Sequence, residues 1–262
     1  MTQHSTAQHP GQAKVALVTG AARRIGRAIA LGLARDGWDV AVHYRHSEAE
    51  ALATVADIEA LGRRAAALRC DLAEQDEVRQ LLARAAAALG PVGCVVNSAS
   101  LFDYDSAADF GTARLDAHMH ANLAAPILLA QALHAATPAG GQAVVVNLLD
   151  QKLYNLNPDF LSYTLSKAAL HTATTLLAQA LAPTVRVVGV APGITLVSGE
   201  QSVAGFEKAH QATPLGRSST PEDVADSVCY VARARALTGT TLLVDGGQHL
   251  TPLARDVMFG AQ

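Results

Sequence analysis

The chain contains few cysteines, few aromatic residues and almost no excess of charge. Its three cysteines (Cys70, Cys94 and Cys229) are far apart and odd in number, which is typical of buried thiols in a reducing compartment and not of disulfides. The net charge of −3 does not supply the basic face that a nucleic-acid-binding protein needs. Apolar runs stay shorter than a membrane span, and the polar residues at 1–5 lack the apolar core of a signal peptide. We therefore expect a cytoplasmic protein that binds neither nucleic acid nor a membrane.

The ten histidines raise the question of a metal site, but their spacing does not support one. His118 and His120 are two residues apart and would point to different faces of a helix. No pair of histidines four residues apart occurs with a nearby carboxylate. We therefore predict that the protein binds no metal.

Apolar strand-like runs alternate along the chain with helix-like segments. The strand-like runs lie at 14–19, 38–44, 64–69, 93–97, 142–147, 184–190 and 241–245. The helix-like segments lie near 25–35, 48–61, 74–89, 111–136, 160–181 and 221–232. Such alternation, with strands apolar on both faces, specifies a parallel sheet covered by helices on both sides. The predicted fold is a single α/β domain with a doubly wound, Rossmann-type sheet of about seven strands.

The predicted domain spans residues 13–250, between a disordered polar tail at 1–12 and a second tail at 251–262. Segment 194–213 is polar, carries glycines and precedes a helix that Thr220 would start. We expect this segment to form a mobile lid over a substrate site. Whether the second tail completes the site of a neighbouring subunit is left open.

The first strand runs directly into a glycine-containing turn and a helix. Strand, turn and helix together are typical of a dinucleotide-binding turn, in which the helix N-terminus faces a pyrophosphate. Gly20 permits the tight turn, and Gly26 lets the helix approach the strand closely. Two glycines six residues apart are a weak signal alone, and Arg24 occupies the place of the usual middle glycine.

Tyr163 and Lys167 are four residues apart, so that a phenol and an ammonium share one face of a helix. An isolated phenol has a pKa of about 10, and a cation beside it favours the phenolate. The pair is therefore a candidate proton donor and acceptor near neutrality. Because the same spacing is common in ordinary amphipathic helices, the surrounding motifs decide its meaning.

Seven short motifs share the order and spacing of one enzyme family: Thr19-Gly20 with Gly26, Asp71-Leu72, Asn97 to Ser100, Asn122, Tyr163 with Lys167, Pro192-Gly193, and Asp245 to Gly247. Through them, residues 13–250 resemble the short-chain dehydrogenase/reductase family. The resemblance implies a nicotinamide-dependent oxidoreductase that acts on a small molecule. In it, Tyr163 donates a proton, and Lys167 holds the nicotinamide ribose and lowers the pKa of the tyrosine. Asn122 supports a proton-relay water.

Two departures from the usual family pattern are similar to the pteridine reductase branch. Asp150 lies thirteen residues before the tyrosine, where the family usually has serine, and Arg24 replaces the glycine of the turn. Residues 97–102 match the branch's Asn-x-Ala-Ser-x-Phe segment. The resemblance implies that Phe102 stacks on a pterin opposite the nicotinamide ring. It also implies that Asp150 works with the tyrosine in proton delivery, and that Arg24 and Ser100 help hold cofactor phosphate and pterin.

Each of these residues has a simpler alternative. Phe102 would also fit as a core aromatic residue of a loop, Asp150 as a capping carboxylate, and Arg24 as a solvated residue at a helix end. Ser98 departs from the more frequent asparagine, and residues 151–159 follow no pattern that we can assign. The predicted substrate-binding residues are Arg24, Ser100, Phe102, Asp150 and Tyr163.

The predicted cofactor is NADP(H), because the second strand ends without the acidic residue that binds the ribose of NAD. Arg45, Ser47 and Arg23 of the glycine turn instead offer donors to a 2′-phosphate. The predicted cofactor-binding residues are Gly20, Arg23, Arg24, Ile25, Gly26, Arg45, His46, Ser47, Asp71, Leu72, Asn97, Ala99, Ser100, Tyr163, Lys167, Pro192 and Gly193.

Three functions remain open at this point. The first is an NADPH-dependent reductase of a dihydropterin or similar heterocycle, which Asp150, Arg24 and Phe102 favour. The second is a carbonyl reductase that acts on a small ketone or a 3-oxoacyl substrate. The third is a regulator that senses a dinucleotide without turnover, which the complete proton-transfer machinery disfavours.

The helix-like segments 111–136 and 160–181 carry long faces rich in alanine and leucine. These faces hold more apolar surface than one side of a sheet needs, and such patches rarely stay exposed on monomers. In the family that the chain resembles, the corresponding helices pair across a two-fold axis. We therefore expect a homotetramer.

Overall fold

A parallel sheet of seven strands organises the protein, as the alternating pattern predicts. The computed structural model describes residues 14–197 and 201–260, so the tail predicted at 1–12 lies outside the described residues. The strands are β1 (Val15–Val18), β2 (Asp39–Tyr44), β3 (Ala65–Arg69), β4 (Val92–Asn97), β5 (Ala143–Leu148), β6 (Val185–Pro192) and β7 (Thr241–Val244). Their order across the sheet is β3-β2-β1-β4-β5-β6-β7, which is the Rossmann-type arrangement.

Helices connect the strands within the described ranges. They are α1 (Arg24–Arg35), α2 (Glu48–Ala60), α3 (Gln75–Leu89), α4 (Thr112–Met119), α5 (Ala125–Ala136), α6 (Leu161–Leu181), α7 (Val203–Gln211), α8 (Pro221–Arg233) and α9 (Val257–Gly260). The single helix expected at 111–136 is divided by a π-helical turn, His120–Ala124. This wider turn contains the buried Asn122, whose side chain bonds across to the loop at Leu101.

The predicted lid contains secondary structure that the sequence pattern did not indicate. Helix α7 lies within the segment 194–213 and begins at Ser202, whose hydroxyl accepts a hydrogen bond of 3.0 Å from the amide of Gly205. Residues 198–200 lie outside the described residues. The mobility of this segment stays a prediction.

The five inner strands are buried on both faces because helices cover both sides of the sheet, whereas the edge strands β3 and β7 are only partly buried. Alternate residues of β1 belong to different apolar clusters: Val18 packs with Ile29 and Val228, whereas Leu17 packs with Leu129 on the other face. The continuous apolar runs of the sequence therefore reflect double burial, as expected for a parallel sheet.

Strand order reverses at β1, which pairs with β2 on one side and with β4 on the other. At such a point, the connections leave the carboxyl ends of the two central strands in opposite directions and open a crevice between them. The crevice lies at the carboxyl end of β1, where Thr19 and Gly20 follow the strand, beside Asn97 at the end of β4. The topology thus places the predicted motifs at one edge of the sheet.

The described residues contain neither a candidate membrane span nor a candidate metal site. None of the helices there is long and apolar enough to cross a bilayer. No group of three or more potential metal ligands occurs among the residues that the structure describes, and the absence of a metal site stays a prediction.

Gly26 is the point at which α1 approaches the turn most closely. A Cβ added there would overlap the carbonyl oxygen of Gly20, which is backbone and cannot swing aside. We expect Gly26→Ala to lower the free energy of unfolding by about 3 kcal/mol, because overpacking against backbone cannot relax. The control Gly111→Ala changes a helix start with open space around it and should cost about 1 kcal/mol or less. If urea denaturation shows that both variants lose the same free energy of unfolding, the close approach of α1 to the turn at Gly26 would be contradicted.

Candidate active site

A cleft of about 420 Å³ opens at the carboxyl ends of the central strands. It brings together many of the residues that the sequence singled out, from the glycine turn, the ends of β5 and β6, and helix α6. The predicted residues that line it are Arg24, Ile25, Ser100, Phe102, Asp150, Tyr163, Lys167, Pro192 and Gly193. The remaining predicted residues lie in the turn and loops around it or below it.

Tyr163 and Asp150 form the central contact of the cleft. The tyrosine hydroxyl donates a hydrogen bond of 2.7 Å to Oδ2 of Asp150. The other carboxylate oxygen accepts from the amide of Lys152 at 2.8 Å and caps a short 3-10 turn. The simpler alternative for Asp150, a capping carboxylate, is therefore correct, and the same side chain also holds the tyrosine.

Burial controls the protonation states of these groups. It raises the pKa of Tyr163 well above its usual value, and the Asp150 carboxylate raises it further. Burial also raises the pKa of Asp150, against the hydrogen bonds that it accepts from the Lys152 amide and from Tyr163. The tyrosine is therefore protonated at neutral pH, which is the state that a proton donor requires.

The pKa of Tyr163 is raised and not lowered, contrary to the expectation from the four-residue spacing, because burial and Asp150 outweigh any stabilisation of the phenolate by Lys167. The Nζ atom of Lys167 donates a hydrogen bond of 2.7 Å to the carbonyl oxygen of Leu148 and lies 5.8 Å from the centre of the Tyr163 ring. Burial lowers the pKa of Lys167 to about 8, while the nearby Asp150 opposes this shift. Helical spacing places the two side chains on one face, but the strand carbonyl holds the ammonium.

Helix α6 has an unusual start that fixes the position of Tyr163. Phe160, just before the helix, takes a left-handed backbone conformation with φ of 56°. The buried Asp105 accepts hydrogen bonds from both the amide and the hydroxyl of Ser162. Asp105 therefore satisfies first-turn donors that lack a partner within the helix. This residue comes from a distant loop, and no local motif announces it.

Phe102 is neither a simple core residue nor a free aromatic ring. It stacks on Phe160 with ring centres 4.2 Å apart and meets the Tyr163 ring edge-on at 4.6 Å. About a third of its surface, 36%, stays exposed at the cleft. The ring is thus held beside the tyrosine ring and still borders the open volume.

Asn122 uses its side chain to hold the loop that carries Phe102. Its Oδ1 accepts from the amide of Leu101 at 2.8 Å, and its Nδ2 donates at 3.0 Å to the Leu101 carbonyl oxygen and to the Ser166 hydroxyl. The hydroxyl of Ser100 also donates to Oδ1, at 3.3 Å. The support of a relay water by Asn122 stays a prediction.

Asn97 lies deeper, at the end of β4. Its amide group donates a hydrogen bond of 2.8 Å to Asn147 of β5, which in turn donates to Thr174 of α6 at 3.0 Å. The three buried side chains tie the sheet to the helix below the cleft. A direct contact of Asn97 with the cofactor stays a prediction.

The glycine turn is held by a residue that the sequence reading did not select. The amide of Gly20 donates to Nδ1 of His43 at 3.0 Å, and Nε2 of the same ring contacts the carbonyl oxygen of Cys70 at 3.0 Å. Because a carbonyl only accepts, Nε2 carries the proton and the ring is neutral. Burial lowers the pKa of His43 to about 4, which keeps it so. The sequence offered one indication of this role, a lone histidine within an otherwise apolar strand.

Around the turn, other contacts bring in the predicted loop after β4. The hydroxyl of Thr19 accepts from the amides of Ser98 and Ala99, both at 3.0 Å. A Cβ added at Gly20 would meet Ala99 at 3.0 Å, and its φ of 66° favours glycine in any case. The two segments are therefore tightly joined at the crevice.

Arg24 adopts a glycine-like backbone conformation, with φ of 54°. Non-glycine residues take up this region infrequently, and they cluster at functional sites when they do. Its guanidinium donates a hydrogen bond of 2.9 Å to the carbonyl oxygen of Val197, which joins the turn to the segment after β6. Arg24 is thus more than a solvated residue, and it begins α1, one residue before the helix-like segment expected near 25–35.

The two arginines predicted to bind a 2′-phosphate are each paired with an acid in the structure, Glu50 and the predicted cofactor-binding residue Asp71. Arg23 lies 3.6 Å from Glu50, and Arg45 lies 3.1 Å from Asp71. Both pairs are largely exposed, and exposed pairs contribute little to stability, so the arginines can exchange partners at small cost. Ser47 precedes α2 without a side-chain cap, His46 is exposed, and Leu72 packs at the edge of the core.

Gln248 is a second residue that the sequence reading missed. Its Oε1 accepts a hydrogen bond of 2.9 Å from the amide of Ile194, just after Pro192 and Gly193. Its Nε2 is buried, lines the cleft and has no hydrogen-bond partner in the described part of the chain. A Cβ at Gly193 would collide with this side chain, which explains the glycine. A buried amide donor of this kind is a candidate contact for a bound molecule.

Comparisons with known proteins place the chain in a family. The family profile described as enoyl-(acyl carrier protein) reductase matches residues 20–249. L-rhamnose 1-dehydrogenase (NAD(P)(+)) from Sphingomonas sp. (strain SKA58) is 33% identical over 252 residues, which cover 91% of this chain and 97% of that protein. The chain belongs to the short-chain dehydrogenase/reductase family. Membership in this family confirms the predicted class of activity, an oxidoreductase.

Two further members of the short-chain dehydrogenase/reductase family bear on the substrate. The crystal structure of FolM alternative dihydrofolate reductase 1 from Brucella canis, complexed with NADP, is 40% identical with a TM-score of 0.85 and covers 90% of this chain and 94% of its own. The 3-oxoacyl-[acyl-carrier-protein] reductase FabG of Staphylococcus epidermidis (strain ATCC 35984 / DSM 28319 / BCRC 17069 / CCUG 31568 / BM 3577 / RP62A) is 30% identical and covers 90% of this chain and 99% of its own.

The neutral state of His43 predicts a pH dependence of stability. Because its pKa is about 4 in the folded chain and near 6.5 when unfolded, the unfolded chain binds more protons between these values. Stability is therefore full above pH 6.5 and falls as the pH drops towards 4, by about 3 kcal/mol. In His43→Gln this loss should disappear, so the difference in unfolding free energy between the two proteins should change by that amount from pH 7 to pH 4. A difference that does not vary with pH would contradict the assignment.

Proposed function

We propose that the protein is an NADPH-dependent reductase of a dihydropterin-like heterocycle, with Tyr163 as the proton donor. The observation that carries the proposal is the hydrogen bond of 2.7 Å from the tyrosine hydroxyl to Asp150, beside Phe102 at the rim of the same cleft. The similarity to the Brucella canis protein, which is named an alternative dihydrofolate reductase, supports a pterin as the substrate.

The residues around the cleft fit a dinucleotide. Helix α1 starts without a side-chain cap, so the amide groups of its first turn are available to a phosphate. The close packing at Gly20 in the turn and at Gly193 in the cleft leaves no room for a larger side chain at either position. Arg45 and Arg23 would hold a 2′-phosphate, and the Brucella canis structure, which contains NADP, supports the same cofactor here. We propose that the cofactor also contacts Asp71, Leu72, Asn97, Ala99 and Ser100.

The positions of the chain's own groups indicate the source of the proton in this proposal. When bound, the nicotinamide supplies the hydride. Tyr163 holds its proton at Oη because burial and Asp150 raise its pKa, and it gives that proton to a ring nitrogen of the substrate. Lys167, whose pKa is about 8, is mostly charged at neutral pH and stabilises the phenolate that is left. Asp150 orients the hydroxyl, and its second oxygen stays fixed by the amide of Lys152.

A flat ring at the rim would be bounded by Phe102, whose own position is fixed by Phe160 and Tyr163. An aromatic pair of this kind stabilises a complex by about 0.5–1.5 kcal/mol beyond the area that it buries. Arg24 and Ser100, which also line the cleft, would contact the pterin and the cofactor phosphate.

A carbonyl reductase is the second candidate. Tyr163 and Lys167 serve ketone reduction equally well, and the curated relatives named a rhamnose dehydrogenase and a 3-oxoacyl reductase favour it. Asp150 argues for the pterin, since ketone reduction needs only a hydroxyl donor at its position. A carboxyl group there can also accept from an amino group at the edge of a pterin. A dinucleotide sensor without turnover would have no use for the proton donor.

The experiment that tests the proposal is an assay of NADPH oxidation with dihydrobiopterin, dihydromonapterin, dihydrofolate and a panel of simple ketones and 3-oxoacyl thioesters. Turnover of a pterin supports the proposal, and turnover of ketones alone supports the second candidate. If NADPH binds tightly but is oxidised with no member of the panel, the result would favour a dinucleotide sensor without turnover.

Proton transfer can be tested by removing single groups. Tyr163→Phe should lower kcat by about 100- to 10,000-fold while NADPH affinity stays nearly unchanged, because the ring still packs and only the proton is lost. Asp150→Ser should lower pterin turnover while it retains or increases turnover of simple ketones. Near-normal kcat in Tyr163→Phe, or unaffected pterin turnover in Asp150→Ser, would contradict the assigned roles.

Cofactor preference can be tested at Arg45. Loss of a charge-assisted hydrogen bond to the 2′-phosphate should reduce the ratio of kcat/KM for NADPH over NADH by about 10-fold or more in Arg45→Ala. The control Arg233→Ala removes an equally exposed arginine that pairs with Asp36 at the far end of α1. It should leave the ratio unchanged. An unchanged ratio in Arg45→Ala would show that this residue does not select the cofactor.

A further inference from the structure

Residues 151–159, which match no family pattern, are joined by two ion pairs to the end of the chain. Nζ of Lys152 lies 3.0 Å from the Asp256 carboxylate. The guanidinium of Arg255 donates to both carboxylate oxygens of Asp159 at 2.8–3.0 Å. The amide of Asp256 donates to the same carboxylate at 2.7 Å. We call residues 255–259 the C-terminal segment.

Burial makes these pairs more than surface contacts. Lys152 and Asp159 are each only 3% exposed, and a buried charge is costly unless it is paired. The Asp159 carboxylate takes its hydrogen bonds from Arg255 and from the amide of Asp256. Loss of either contact would leave a buried carboxylate poorly satisfied, so the C-terminal segment is firmly held in this place.

The C-terminal segment borders the cleft directly. Asp256, Val257 and Met258 line it together with the catalytic groups. Phe259 lies against Phe160, with ring centres 6.1 Å apart and planes 20° apart. Since Phe160 also stacks on Phe102, the C-terminal segment and the predicted substrate-binding ring belong to one aromatic stack.

The chemistry of this wall suits a flat, neutral ring. The four charges of the two ion pairs cancel, and each is turned towards its partner. The side chains that face the cleft beside the Asp256 pair are the apolar Val257 and Met258. The Asp256 carboxylate also lines the cleft but is paired with Lys152, so the wall presents apolar side chains and no unpaired charge. Such a wall excludes an unpaired ionic group and accepts an aromatic heterocycle.

We propose that the C-terminal segment forms the specificity-determining wall of the chain's own substrate site, with Lys152–Asp256 and Asp159–Arg255 as positioning pairs. The wall limits the size of the group attached to a flat heterocyclic substrate. The proposal rests on the function proposed above for the substrate class. The sequence left open whether the tail completes the site of a neighbouring subunit, and the proposal assigns the described part of the tail to the site of its own subunit.

The first test is Arg255→Ala in the full chain, with Arg233→Ala as the matched control for loss of one arginine ion pair. We expect the KM for the accepted pterin to rise by about 10-fold in Arg255→Ala, with kcat and the Kd of NADPH changed by less than about 2-fold. Arg233→Ala should change none of these quantities. An unchanged KM in Arg255→Ala, or equal losses of KM, kcat and NADPH affinity, would overturn the proposal.

A second variant tests the wall without breaking an ion pair. Met258→Ala enlarges the cleft, and a change of a few methylene groups in an apolar pocket alters selectivity by about 10-fold or more. The ratio of kcat/KM for dihydrofolate, which carries a large substituent, over dihydrobiopterin should rise by that factor. A ratio equal to that of the wild-type protein would overturn the wall.

Two measurements separate this proposal from the failure of the proposed function. If only ketones are reduced, the same KM and size-selectivity tests apply to a small and a large ketone. If nothing in the panel is reduced, amide hydrogen exchange of residues 251–260 should still accelerate in Arg255→Ala and not in Arg233→Ala, and equal exchange would overturn the proposal.

Assignment to the same subunit has its own test. Mixed oligomers are produced by co-expression of Tyr163→Phe chains with Arg255→Ala chains. If the wall acts within one chain, every site lacks either the tyrosine hydroxyl or the arginine. The only sites with the tyrosine hydroxyl then lack Arg255, so the high KM persists. Recovery of wild-type KM and kcat in the mixture would place the wall in the neighbouring subunit and overturn the assignment.

Discussion

The hydrogen bond from Tyr163 to Asp150 is the interaction on which the rest of the site depends. It forms because the end of β5 and the start of α6 meet at the same edge of the sheet, where Tyr163 is buried and Asp150 is part-buried. Burial raises the pKa of the phenol above its usual value, and the negative partner raises it further. A phenol in water would hold its proton as well, but it would have no fixed direction in which to deliver it.

The carboxylate of Asp150 beside the buried tyrosine requires a nearby cation to offset its charge, and Lys167 supplies that cation. Its ammonium lies below the tyrosine and is held by the Leu148 carbonyl oxygen, and burial lowers its pKa to about 8. Folding must therefore desolvate a lysine, a carboxyl group and a phenol together, which disfavours the folded state. The doubly buried sheet and its two apolar clusters supply the stability that tolerates this cost.

Sequence alone predicted the parts that local pattern controls. The strands were found to within two residues because double burial leaves uninterrupted apolar runs, and Tyr163 with Lys167 follows from helical spacing. His43, Gln248 and the cap at Asp105 were missed because each acts through a partner more than 20 residues away. The environment of a side chain, such as the acids beside the predicted phosphate-binding arginines, is likewise set by tertiary contacts.

Protonation states mark the clearest limit of sequence reasoning here. The spacing of Tyr163 and Lys167 suggested a lowered tyrosine pKa, whereas the folded surroundings reverse the direction, because burial and Asp150 outweigh a cation that is turned towards a carbonyl. The raised pKa keeps the hydroxyl protonated at neutral pH, so that the tyrosine holds a proton that it can transfer. A reductase needs that state at the start of each cycle, since reduction consumes one proton for every hydride. The charge that develops on the phenol then lies beside Lys167, which is placed to stabilise the phenolate only once it forms.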